Sequence, residues 1–133
     1  YRIDAYIPDR NAISAYLHNP VNAFFYEYFL AVCLSNKDAY MINAEWNKIR
    51  QFYPRHVPRH LQEAVLATYG YAPARYLYPK KIEGIEAETW NDYWAFIIDD
   101  QAYRNNRITI DELEHKWRHT FWFYQLYIIR EFS

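Results

Sequence analysis

Few residues in this chain have types and spacings that could do chemistry. Glu112 and His115 stand three apart and His119 four further on, spacings that bring side chains to one face of a helix. Glu-x-x-His is the ligand pattern of carboxylate-bridged di-iron bundles, and a metal needs its ligands on one face. Such a centre takes a second copy of the motif, and the sequence has none. Solvated histidines and a glutamate used as a helix cap explain the same letters, so the expectation is no metal and no cofactor. His56, His60 and Glu63 make a second cluster. His60 and Glu63 could form an acid–base pair at a helix start. No nucleophile or oxyanion donor accompanies them, so Arg55, Arg59 and His60 read as a solvated first turn and no catalytic residue is assigned. Glu27, between Phe24, Phe25, Tyr26, Tyr28 and Phe29, must be paired, hydrogen-bonded or protonated if those neighbours bury it.

The elements that would carry these residues are helices. The chain has 133 residues, 52% of them hydrophobic, with 15 Tyr, 8 Phe and 5 Trp. That is one domain, large enough for a packed core. A net charge of −1 offers no pull toward nucleic acid or an anionic membrane. A lone cysteine, Cys33, excludes an internal disulfide. The chain opens at Tyr1 without Met or a signal region, which predicts a piece of a longer protein. The apolar runs around 23–34 and 121–129, broken by Glu27 and Gln125, are too short to span a bilayer. Only two glycines, Gly70 and Gly84, occur, which argues against an all-β fold and against a phosphate loop.

Prolines punctuate the pattern. Asn19-Pro20 opens a helix to about Ser35, apolar nearly all round and therefore expected to be the most buried. Asn36-Lys37-Asp38 is a turn. The next helix carries Ile42, Trp46, Ile49 and Phe52 on one face until Pro54 stops it. The pair forms a hairpin, with Phe24, Phe29, Trp46 and Ile49 at its contact. Pro58 opens a third helix that Gly70 ends in the left-handed region. A fourth starts near Glu86 with Ala87, Trp90, Trp94, Ile97 and Ile98 on one stripe, and Asn105-Asn106 breaks it. Thr109 to Glu112 is a capping box opening a fifth helix, extended along Leu113, Trp117, Phe121, Tyr124 and Ile128 to near Phe132. Strand formers over 120–129 make an extended end the alternative. Residues 9–18 could add a short leading helix. The expectation is an all-α fold of five to six helices, stacked as antiparallel helical hairpins.

The hairpin from Asn19 to Pro54 resembles a tetratricopeptide unit in architecture, without its small-residue pattern. Leu17-His18-Asn19-Pro20, Tyr28-Phe29-Leu30, the run Val57 to Ala64 and Thr120 to Tyr124 together resemble a family of gut Bacteroidales envelope proteins. Those proteins look like membrane-spanning segments ahead of a soluble helical C-terminal region, and no activity is attached to them. The resemblance implies a location in the bacterial envelope.

Charge is segregated. Lys48 to Lys81 is basic except for Glu63, and 82–100 is acidic throughout. Between them Tyr71, Arg75, Tyr76 and Tyr78 lie in the longest irregular stretch, and Arg and Tyr are residue types that anchor interfaces. These four are the expected partner-binding residues. The partner would be another protein, the rest of the chain's own longer polypeptide, or a second copy. The expected function is a non-enzymatic helical interaction module. The alternative is a small-ligand or glycan-binding domain that exposes Tyr and Trp faces.

Overall fold

In the computed structural model, residues 20–70 and 82–128 are described. They form seven helices and no strand: α1 (Pro20–Ser35), α2 (Ala39–Ala44), α3 (Trp46–Phe52), α4 (Arg59–Ala67), α5 (Ala87–Arg104), α6 (Ile110–Trp117) and α7 (Phe121–Tyr127). The fold is all-α. The expected leading helix over 9–18 lies outside the described residues.

Local chemistry sets most helix ends. Asp38 accepts from the Met41 N–H at 3.1 Å and starts α2, after a turn in which Lys37 takes φ +59°. Gly70 follows α4 at φ +64°, the left-handed position that ends a helix cheaply only with glycine or asparagine. Asn106, at φ +60°, does the same after α5. At the start of α6 the Thr109 hydroxyl accepts from the Glu112 N–H while the Glu112 carboxylate accepts from the Thr109 N–H, closing the predicted capping box.

Two expected helices are interrupted. The one over 39–53 is kinked at Glu45, which ends α2 and begins α3. The kink accompanies an inward-facing carboxylate: Glu45 is buried, accepts from the Tyr26 hydroxyl at 3.1 Å and pairs with Lys48 at 3.3 Å. The last helix stops at Trp117 and restarts at Phe121. Thr120 makes the break, its hydroxyl donating to the Trp117 carbonyl at 2.7 Å and accepting from the Phe123 N–H at 3.2 Å. A threonine that satisfies its own backbone neighbours competes with the helix ladder. The restart lets Phe121, Trp122 and Phe123 all be buried, and the described part of the 120–129 run is helical up to Tyr127 rather than extended.

The centre of the domain is α4, not α1. It packs against α1, α2, α5 and α7, and Leu61 through Leu66 are buried without interruption. Helix α1 buries only Tyr26, Leu30 and Cys33, while Val21, Phe24, Phe25, Tyr28 and Val32 are exposed. Of the expected hairpin contact, Trp46 and Ile49 are core, Phe29 packs at its edge and Phe24 is out. Trp46 turns instead to the segment before α5, its indole donating to the Glu83 carbonyl at 2.6 Å. On α5 the buried side chains are Thr89, Trp90, Tyr93, Phe96, Ile97 and Asp100, so the stripe is rotated from the predicted one. Trp94 and Ile98 face outward.

The 82–86 segment presses on α3. Gly84 has φ +91°, and a Cβ there would meet Arg50 Cδ at 2.6 Å and Trp46 Cζ2 at 2.9 Å. Gly84→Ala combines backbone strain with this clash, and is expected to cost about 1–3 kcal/mol. Gly70 has φ +64° and no described atom within 4 Å of its virtual Cβ, so Gly70→Ala should cost only about 1 kcal/mol. Urea melts of the two variants check the order; equal losses would place the 82–86 segment away from α3.

Candidate functional site

Two consecutive polar residues in the middle of α4 organise the interior. Gln62 is fully buried. Its amide nitrogen donates to the Val57 carbonyl and to Glu86 Oε1, both at 2.8 Å. Its oxygen accepts from the Glu86 N–H at 2.9 Å and the Thr89 hydroxyl at 3.0 Å. One side chain thus ties α4 to the first turn of α5 with its donors and acceptor satisfied.

Glu63, 1% exposed, does the same for α7. Its Oε1 accepts from the Phe121 N–H at 2.9 Å and meets His60 Nδ1 at 2.8 Å, while Oε2 accepts from Arg59 Nε at 2.9 Å. Its own carbonyl accepts from the Trp122 indole at 2.8 Å. Arg59 continues to Asp92 on α5 at 2.8 Å and lies 5.7 Å from the Trp122 ring centre. The solvated turn of the sequence reading holds for His60, which is exposed, and less for half-buried Arg59, but both are also held by a buried carboxylate. Burying that charge is tolerable only because a guanidinium, an imidazole and a backbone donor surround it. The arrangement spends the Glu63 oxygens on structure.

Glu63 also acts on His60. The hydrogen bond to the carboxylate raises the His60 pKa above 6.5, partly opposed by burial and by Arg59. The folded protein then holds this proton more tightly than the unfolded chain. The pair contributes fully below pH 6.5 and fades as pH rises through the folded value. The urea midpoint is expected to fall between pH 6 and pH 8, and to fall less in His60→Gln. An unchanged slope in that variant would show that His60 is uncoupled from Glu63.

A groove of about 360 Å³ opens beside this cluster, lined by Leu34, Ser35, His60, Arg118, His119, Thr120, Phe121 and Tyr124. The predicted Glu112–His115–His119 alignment is lost, because the helix ends before His119 and Glu112 is committed to its cap. Among the described residues no group of three His, Cys, Asp or Glu side chains could hold a metal ion. Glu27 is exposed; the deeply buried carboxylates are Glu63 and Asp100. Asp100 accepts from Arg104 Nε at 2.8 Å and from the Tyr127 hydroxyl, and burial together with that bond pushes the Tyr127 pKa well up.

The segregated charges pair with each other. Arg50 reaches Glu83 at 2.7 Å, His56 reaches Glu86 at 3.1 Å and Arg59 reaches Asp92 at 2.8 Å. The basic and acidic stretches are thus partly spent across the α3–α4–α5 contact. Tyr71, Arg75, Tyr76 and Tyr78 lie outside the described residues. The feature missed in the sequence is the outward face of α1. Val21, Phe24, Phe25, Tyr28 and Val32 recur at helical spacing, with Phe24 64% and Tyr28 63% exposed. The signal was there as a second apolar stripe, opposite Tyr26, Leu30 and Cys33, on a helix whose first face already fills the core.

Helices gathered on a buried glutamine–glutamate pair, with a groove lined by basic side chains and an apolar stripe exposed among the described residues, define an all-α domain. The model of a family described as a family of unknown function (DUF6057) matches residues 4–128, and the chain belongs to that family. No curated protein and no solved structure matches it.

Proposed function

We propose that this domain is a non-enzymatic helical interaction module, part of a larger bacterial envelope protein, with stacked hairpins of the tetratricopeptide kind. One observation carries the reading: α1 presents five uncharged apolar side chains outward, and contiguous apolar surface on a folded domain marks a contact. The occupant is the rest of the same longer chain. The stripe begins at Val21, in the first turn of α1, next in sequence to the residues that precede the helix. The preceding sequence supplies Ile3, Ile7, Ile13, Tyr16 and Leu17 to match. The loop residues Tyr71, Arg75, Tyr76 and Tyr78 form a second contact in this reading. Saturation of Glu63 by three structural donors favours a non-enzymatic role. None of the described helices is long and apolar enough to cross a membrane, which suits a segment outside the bilayer.

The glycan-binding alternative fares worse. Trp46, Trp90, Trp117 and Trp122 are buried and only Trp94 is exposed among the tryptophans, so no flat indole platform forms. A photo-crosslinking side chain at position 28 of the full-length protein, in its native envelope, tests the reading against a control at position 94. Adducts within the same polypeptide at position 28 alone support it. Adducts to lipid, adducts to other proteins only, or none at position 28 overturn it.

A further inference from the structure

The groove between the end of α1 and the α6–α7 joint differs in chemistry from the α1 stripe. Its apolar lining is Leu34, Phe121 and Tyr124, and its basic lining consists of His60, Arg118 and His119. Arg118 and His119 come together because Thr120 breaks the helix between α6 and α7, leaving two successive exposed residues at the joint. Glu63 engages one nitrogen of His60 and keeps the ring beside the groove. Among the described residues no carboxylate lines it, since Glu63 is buried behind and already bonded to Arg59 and Phe121. Lys37 lies outside the lining, 5.1 Å from the centre of the Tyr124 ring, and donates to the Ile128 carbonyl. The described lining thus sets basic side chains over an apolar wall, and its volume lies at the small end of the ligand-pocket range.

The donors also discriminate among anions. Bare phosphate is best held by several converging backbone N–H groups. Here the Phe121 N–H is spent on Glu63 and the Phe123 N–H on Thr120. The lining offers an arginine fork, which suits a planar carboxylate, together with two imidazoles, Ser35 and the apolar wall. We propose that this groove binds a small organic carboxylate with an aromatic or aliphatic body, its carboxylate on Arg118, His119 and His60 and its body against Leu34, Phe121 and Tyr124.

Phenylacetate is the probe, with phenylacetamide and inorganic phosphate as controls, followed by calorimetry and by imidazole NMR signals. Saturable binding of phenylacetate is expected, with both controls at least about tenfold weaker, a difference of 1.4 kcal/mol. Arg118→Glu should weaken phenylacetate at least about tenfold without moving the urea midpoint, because the residue is exposed. His119→Asp serves as the second variant if the first is poorly folded. Absence of saturation, equal binding of the amide, or unchanged affinity in a folded variant overturns the proposal.

Discussion

Glu63→Ala is expected to lower stability by about 3–5 kcal/mol, the cost of removing one partner from a buried charge cluster. The substitution strands Arg59 Nε, His60 Nδ1 and the Phe121 N–H, which lie 2.8–2.9 Å from the lost oxygens. Of these the Phe121 N–H is the worst placed, because Phe121 is buried and water cannot take over its bond. Glu63→Gln keeps the shape but gives up the charge and one acceptor, so about 1–3 kcal/mol is expected. Urea denaturation followed by circular dichroism measures both. A loss below about 1 kcal/mol for Glu63→Ala would mean that the cluster is hydrated and that α7 is held by its rings alone.

The second large effect is at Trp122, which is 1% exposed. Its ring lies 4.9 Å from Tyr93, 5.8 Å from Phe96 and 6.4 Å from Trp117 between centres. These four side chains join α5, α6 and α7 in one aromatic cluster. Trp122→Ala should cost about 3–5 kcal/mol through lost burial and the cavity left behind. Trp122→Phe retains much of the packing but leaves the Glu63 carbonyl without its indole donor, for about 1–2 kcal/mol. The two variants separate ring from hydrogen bond. Equal losses would show that the indole N–H, not the ring, secures the helix.

What was legible in the sequence was the chemistry that acts over three or four residues. Pro20, Pro58, Gly70, Asn105-Asn106 and the Thr109–Glu112 box mark ends that the structure keeps, because each end depends on its own neighbours. The identity of the central helix was not legible. Counting apolar residues favours α1 over α4, yet Gln62 and Glu63 are buried and Phe24 and Tyr28 are not. Local partners (Val57, Arg59 and His60) meet only part of the need of Gln62 and Glu63; the others lie 24 to 59 residues away, beyond the reach of any periodicity. The same limit explains the rotated stripe of α5, where Thr89 and Asp100 are core because Gln62, Arg104 and Tyr127 satisfy them. The sequence raises His60 and Glu63 as a pair at a helix start, but its local pattern favours a solvated turn. Their joining to the Phe121 N–H, and the groove this leaves beside Arg118 and His119, depend on a helix break that the regular spacing of Leu113, Trp117, Phe121, Tyr124 and Ile128 conceals.

The clamp on Glu63 bears on how the chain is made. A ribosome releases Glu63 58 residues before Phe121, whose N–H it must meet. Until α7 emerges, the carboxylate has Arg59 and His60 of its own helix but no backbone donor, so its buried shell is incomplete. Closing that shell joins two helices made far apart in time, and α4 reaches its final surroundings only together with α7.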